Sequence, residues 1–294
     1  MLNDIVFSDG SSIENQLGGS VFSAAGIKLW RDSVAYIGVA GEDFDEHYGS
    51  FFKDNGIKAA VKKDFPYTLH YVMEYQADGS WSEGCKNGEE YEQEALKKSM
   101  LEPAMFQEHC GADTKGIYLE ASLNTEIVHR FEELKAMMPK GKLMWEIATG
   151  DLLDPQRKSQ VLELILQVHI YSLNFNEAKV FFSVETEEDG VAAILELGKP
   201  CFFRVGKKGA WQIQDGKAVF LPSVGSAESV DATGCGNCST ATALIGFAEG
   251  LSPEETLAMA NISADYNARQ YGPWPLVDSA VREEAEKTLR RICR

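Results

Sequence analysis

An α/β fold, with a mostly parallel central sheet flanked by helices and a small β lid, is what this sequence predicts. Three observations carry that expectation. Strands and helices alternate from residue 142 onward, an earlier stretch is rich in β-forming residues, and a glycine-rich loop introduces a late helix. Alternation of this kind favours parallel strands, because a helical crossover returns the chain in the same direction and covers the sheet as it does so.

Taken in chain order, Ala35 to Ala40 reads as a short apolar strand. Tyr67 to Tyr75 is a longer mixed run ending at Asp78-Gly79, before Trp81, and with Ala59 to Lys63 it suggests a small antiparallel flap. Such a flap either closes over a ligand and excludes water or is an edge hairpin without a gating role. Lys142 to Ile147 predicts a buried strand, and Asp154-Pro155 caps a helix through Val168, with Pro at the favoured first position. Ile170 to Leu173 gives the next strand and leads to a helix beginning near Asn176. Glu187 to Leu197 reads as a helix stopped by Gly198, with Pro200 just behind it, and Cys201 to Val205 as a strand. Trp211 to Gln214 and Lys217 to Phe220 flank Asp215-Gly216, a pair suited to a tight hairpin. Cys238 to Ala248 is a small, apolar helix ending at Gly250, and Ser252-Pro253-Glu254-Glu255 has the spacing that caps another. We expect one domain over residues 1–294, with the lid drawn from roughly 10–20 and 57–82.

Composition narrows the function classes. An apolar content of 44% is ample for a core, and a formal charge of −17 argues against nucleic acid or an anionic membrane as partner, since both require a basic face. No stretch approaches the ~20 uninterrupted apolar residues of a membrane span. Val161 to Phe175 comes nearest and is broken by Glu163, Gln167, His169 and Asn174. Without a signal-peptide pattern at Met1-Leu2-Asn3-Asp4, the expectation is a cytoplasmic protein. Six cysteines, at 85, 110, 201, 235, 238 and 293, are too dispersed for a disulfide scaffold, and five histidines show no metal-ligand spacing. Cys235 and Cys238 form a C-x-x-C at a helix start, which leaves a redox reading open.

The segment Asp231-Ala232-Thr233-Gly234-Cys235-Gly236-Asn237 is the most informative in the chain. Its glycines would stand at a helix N-terminus, where free amides and the positive end of the macrodipole attract an anion. A plain glycine-rich helix entry is the alternative reading of the loop taken alone.

Six segments in order resemble those of the pfkB family of sugar kinases, with its ribokinase-like fold. They are Gly18-Gly19 followed by Ser20 to Ala25, Val39-Ala40-Gly41-Glu42-Asp43 with Gly56-Ile57, Thr68, Asn176 to Lys179, Arg204 to Gly209, and Asp231 to Asn237. The resemblance implies ATP and Mg2+ as cofactors, a sugar or nucleoside as substrate, and a homodimer through the lid. It also implies roles. Gly234, Cys235 and Gly236 would form an anion hole, Asp231 would support the loop, and Asp4, Gly18, Gly19, Ser23 and Thr68 would meet the substrate. Asn176, Lys179, Arg204, Gly206, Gly209 and Thr233 would lie on the nucleotide side, and no residue is assigned as a direct metal ligand.

At the catalytic points the chain departs from the family pattern. Asn237 stands for the aspartate that takes the substrate proton, Lys179 for the glutamate of an N-x-x-E, Arg204 for a threonine and Ser23 for an asparagine. An amide cannot accept that proton at neutral pH. Together the first three changes make the site about four charge units more positive than the family pattern, and Lys179 argues against Mg2+. Lys179 could equally be an ordinary solvent-facing helix residue, and Arg204 a strand-end surface residue. Two functions follow: a sugar or nucleoside kinase of reduced activity, in which Asn237 orients the hydroxyl, or a non-catalytic protein that binds a nucleotide, sugar phosphate or other anion. A further departure is at the start, where only three residues precede Asp4. The family has a central strand there, so either the numbered chain begins late or another segment replaces that strand.

Overall fold

The computed structural model describes residues 1–76, 81–225 and 229–294, with Trp81 by its backbone alone. The expected Asp78-Gly79 turn lies outside the described residues. The first elements are β1 (Leu2–Val6), β2 (Ser12–Leu17), α1 (Val21–Trp30), β3 (Ala35–Gly41), α2 (Phe44–Asp54), β4 (Lys58–Phe65), β5 (His70–Tyr75), β6 (Trp81–Cys85), α3 (Glu89–Lys98) and α4 (Ala104–Gln107). There follow β7 (Gly116–Ala121), α5 (Phe131–Met137), β8 (Lys142–Ile147), α6 (Thr149–Leu153), α7 (Lys158–Ile165), β9 (Ile170–Asn174), α8 (Phe175–Phe181) and α9 (Glu187–Leu197). The chain closes with β10 (Cys201–Arg204), β11 (Gly209–Gln214), β12 (Lys217–Pro222), α10 (Cys235–Glu249), α11 (Pro253–Ala268) and α12 (Ser279–Ile292).

The central sheet runs β12-β11-β10-β9-β8-β7. Strands β7 to β10 are parallel, and β11 and β12 add an antiparallel edge. This is the predicted mostly parallel sheet, covered by helices on both faces. Alternation along the strands sorts the core. Leu119, Leu143, Trp145, Tyr171, Leu173 and Phe203 face the layer that contains Phe131, Val161 and Ile194. Met144, Ile170 and Phe202 face the other layer, with Leu244 of α10 and Leu257 and Ala260 of α11. Each such side chain withdrawn from water contributes ~1.5–3 kcal/mol. The second face turns polar toward the C-terminal strand ends: Glu120, Glu146, Ser172 and Arg204 stand on the same side as Met144 and Phe202, because side chains two apart share a face.

Helix α10 is held by close backbone approach on both flanks. A Cβ on Gly26 of α1 would lie 2.5 Å from the Cys238 carbonyl, and one on Gly246 would lie 2.1 Å from Thr256 Oγ1 of α11. The caps follow the sequence. Gly198 and Gly250 adopt left-handed conformations after α9 and α10, and Ser252 and Glu255 form a complete capping box at α11. The β11–β12 hairpin turns through Asp215 and Gly216, both at positive φ (52° and 70°), as the tight turn requires.

Several expectations are corrected. The regular helix after Asp154 begins at Lys158 and ends at Ile165. The Asp154 carboxylate accepts from the Gln156 amide (2.9 Å), and its carbonyl accepts from Arg157 (3.0 Å), so residues 154–157 form a turn before it. Ala59 to Lys63 belongs to β4, which pairs with β3 in parallel. The intervening α2 makes a β-α-β crossover, and that crossover imposes the parallel direction. The outer β sheet has the order β2-β1-β5-β6, with β1 antiparallel to β2 but parallel to β5. Strand β1 therefore lies in the outer sheet. The six-stranded sheet ends at β7, β3 and β4 pair only with each other, and among the described residues no further segment joins these sheets.

Candidate active site

The loop Asp231 to Asn237 meets the sheet where the polar strand ends converge. Asp231 accepts from the Thr233 amide (2.9 Å), and Asn267 of α11 donates to the Thr233 carbonyl (2.7 Å). Gly234 takes φ 77°, and a Cβ there would fall 2.2 Å from the Phe22 ring, so glycine is required both for the left-handed turn and for the packing. The Cys235 amide is spent on the Ala232 carbonyl (3.1 Å). The amides of Gly234, Gly236 and Asn237 have no acceptor among the described residues. They are the donors open to an anion at this helix start, with the Asn237 amide standing where Cys235 was expected.

Asn237 points its side chain at the sheet. Nδ2 donates to Glu120 Oε2 (3.0 Å) and lies 3.5 Å from the Tyr118 hydroxyl, both on β7. Glu120 is the strand partner of Glu146 on β8. Its side chain is exposed, yet surrounding protein and, after it, the Glu146 charge push its carboxyl up to about 7. Solvent on the open side tempers that displacement. Glu146 is buried. Burial raises its carboxyl, and the Arg204 guanidinium, which donates to its Oε1, pulls it back. Arg204 also lies 3.9 Å from Glu177 Oε2. A Cβ on Gly236 would come within 2.3 Å of Arg204 Nη1, so the guanidinium sits directly against the glycine-rich loop.

These positions revise the charge reading. Asn174 and Glu177 have N-x-x-E spacing, and they form the capping box of α8. Glu177 is buried with Thr149 Oγ1 donating to it (2.7 Å). Asn176 and Lys179, in contrast, are exposed on α8, and the nearest carboxylate to Lys179 is Glu185 at 3.9 Å. The expected Lys179-for-glutamate exchange is thus a shift of register by two residues, and its argument against Mg2+ falls with it. Arg204 is no surface residue, with 15% of its side chain exposed. Its charge is answered by Glu146 and Glu177.

The other predicted residues divide. Ser23 of α1 is buried with its hydroxyl 3.5 Å from the Asn237 carbonyl, and it joins the cluster. Thr233 is in the loop itself. Gly206 stands between β10 and β11 and Gly209 opens β11, where a Cβ would strike the Leu221 carbonyl at 2.2 Å. Gly18 abuts Asn3, while Gly19 takes φ 75° beside Met1. Thr68 sits apart, its amide donating to Asp43 (2.7 Å) and its hydroxyl buried without a partner. Asp4 was expected to meet substrate, but its carboxylate is engaged by His70 (2.8 Å), Lys86 (2.7 Å) and the Asn15 amide (2.8 Å). Burial would raise it; those hydrogen bonds prevail and hold it at about 2.

The C-x-x-C thiols turn toward α11, Cys235 to the Ala264 carbonyl and Cys238 to that of Ser263, both at 3.4 Å. Burial pushes both thiols up, away from the reactive thiolate. Among the described residues no group of three or more His, Cys, Asp or Glu side chains could hold a metal, and no helix is long and apolar enough to cross a membrane. One acceptor still invites a cation: Glu146 Oε2 is buried without a hydrogen-bond partner among the described residues. A hollow of about 470 Å³ beside Met100, Glu102, Gln107 and Arg130 shares no residue with this cluster.

A family model described as pfkB family carbohydrate kinase matches residues 6–278. No curated protein matches the chain. In fold it is similar to an E. coli chain described as Ribokinase II, solved in complex with ATP and Mg+2, at 15% identity over 99% of this chain and 96% of that one, with a TM-score of 0.76. It is similar to adenosine kinase from Sinorhizobium meliloti at 20% identity over 97% and 90%, TM-score 0.73. It also resembles Arabidopsis thaliana ribokinase complexed with ribose and ATP at 21% identity over 98% and 96%, TM-score 0.68. At these identities the likeness is one of fold.

Proposed function

Because the chain belongs to the pfkB family of carbohydrate kinases, we propose that it transfers the γ-phosphoryl group of ATP to a hydroxyl of a sugar or nucleoside. The observation that carries this reading is the set of amides at Gly234, Gly236 and Asn237, which have no acceptor among the described residues, in a loop that meets the polar strand ends. Phosphoryl transfer runs mainly on positioning and charge stabilisation, and amides fixed at a helix start provide both. Ser23, Gly18 and Gly19 would lie on the substrate side, and Gly206, Gly209 and Thr233 on the nucleotide side.

Mg2+ would neutralise the triphosphate and enter with it, since this ion is content with one or two carboxylates besides water and phosphate oxygens. Glu177 and Glu146, with its unpartnered Oε2, would hold it. Arg204 would add a fixed positive charge beside Gly236. The outer sheet β2-β1-β5-β6 would act as the lid and as the contact in a homodimer.

ATP consumption by the full chain, measured with Mg2+ against a panel of sugars and nucleosides, tests the assignment. Turnover with one acceptor class supports it. No turnover with any acceptor, by the wild type or by Asn237→Asp, sinks it. A second reading, a nucleotide or anion-binding protein without transfer, is favoured by one observation: residue 237, at the base position, carries an amide. It predicts nucleotide binding, seen as a thermal shift, that scarcely depends on Mg2+.

A further inference from the structure

We propose that Glu120 is the general base of this site, taking the substrate proton that Asn237 cannot accept. The inference rests on the kinase reading and concerns where its proton goes. Asn237 and Glu120 are complementary: the amide donates at 3.0 Å to a carboxylate that can only accept. An aspartate at 237 would set two carboxylates at that distance, which cannot both ionise without a large upward displacement of one. With asparagine there, the charge resides on β7 and the loop holds it in place.

Of the three glutamates in the cluster, only Glu120 is free to act. Glu146 and Glu177 are buried against Arg204, and both oxygens of Glu177 accept hydrogen bonds, from the Asn174 amide and from Thr149. Glu120 is exposed, and among the described residues only its Oε2 is engaged. The Tyr118 hydroxyl is nearby, but burial holds its proton far more tightly than usual. The groups facing Glu120 are Tyr118 on its own strand, Glu146 on β8, Arg204 on β10, Tyr36 on β3, Asn237 on α10 and the Met1 amino group. Glu146 raises its carboxyl, whereas Arg204, Asn237 and the amino group lower it.

In the step, the acceptor O–H bond breaks and its proton passes to Glu120. The acceptor oxygen bonds to the γ-phosphorus as the bond from that phosphorus to the β,γ-bridging oxygen breaks, and the electron pair leaves on the nucleoside diphosphate. Water can stand in as acceptor, so the same base would govern slow ATP hydrolysis.

The test compares wild type, Glu120→Gln, Glu120→Asp and Glu120→Gln/Asn237→Asp, each with Mg2+ and ATP, with the best acceptor found and with water alone. Binding of ATP, followed by thermal shift, verifies that each variant is folded. The expected result is a kcat for Glu120→Gln lower by ~10²–10⁴-fold with ATP affinity unchanged. The acidic limb of its kcat–pH profile disappears, and activity is partly rescued by Glu120→Asp or by the added aspartate at 237. If Glu120→Gln stays within about threefold of wild type in kcat, or changes only the acceptor KM with the pH limb intact, the base assignment is overturned while the kinase reading stands. Wild type that binds ATP but never consumes it overturns both.

Discussion

Arg204 is where the site's charge is decided. Its guanidinium bridges Glu146 and Glu177 beneath Gly236, and such an arrangement is costly to break from one side, because the partners stay behind as buried charge. Arg204→Met is expected to lower unfolding free energy by ~3–5 kcal/mol at pH 8, measured by urea denaturation, with a smaller loss at pH 5, because burial raises the Glu146 carboxyl and favours its neutral form. Glu120 gives a second pH signature. A carboxyl raised to about 7 binds a proton more readily folded than unfolded, so its contribution is present at low pH and is lost as pH rises through about 7. Glu120→Gln should therefore gain stability relative to wild type between pH 5 and pH 8; a constant difference across that range would contradict the raised carboxyl. The sequence displays these residues plainly, since Glu120 and Glu146 each interrupt an otherwise apolar strand, and a carboxylate in such a strand needs a reason. What it hid was the convergence: Glu120, Asn237 and Arg204 meet only through strand register and the placement of α10. The N-x-x-E shift has another cause, because two asparagines two apart both offer a plausible start, and only the capping box separates Asn174 from Asn176.

At the scale of elements, local signals were readable and pairings were not. The Ser252–Glu255 capping box, the glycine stops and the Asp215-Gly216 hairpin are decided within a few residues, and the structure agrees with the sequence at each. The parallel pairing of β4 with β3, and of β5 with β1, depends on where distant segments come to rest, which periodicity does not encode. The outer sheet carries its own acid sensitivity. Asp4, held at about 2 by Lys86, His70 and Asn15, stabilises the fold above its unfolded value near 3.8, and that contribution is lost as pH falls toward 2. Asp4→Asn should cost ~2 kcal/mol at pH 6 and little at pH 2, read from unfolding midpoints at the two pH values. The α10–α11 seam makes a different demand. A methyl on Gly246 would lie 2.1 Å from Thr256 Oγ1, so Gly246→Ala is expected to destabilise by ~1–3 kcal/mol, seen as a lower Tm.

Across the whole molecule, a formal charge of −17 would repel the polyanionic nucleotide that the proposed function requires. Long-range repulsion of this kind is screened over ~10 Å at 0.1 M salt. ATP association followed by stopped flow should therefore speed up severalfold from about 20 to 150 mM salt; a rate that falls with salt would mean that the local field of Arg204 and the loop dominates.

The contact between Gly26 and the Cys238 carbonyl has a mechanical reading. Helix α1 carries Ser23, helix α10 carries the glycine-rich loop, and at their crossing there is no room for a methyl group. The two helices therefore form one rigid jaw: a shift of the first turn of α1 must carry the amides of Gly236 and Asn237 along with it. Under the proposed kinase reading, acceptor preference is better redesigned in the outer sheet, which can be reshaped without misaligning these amides.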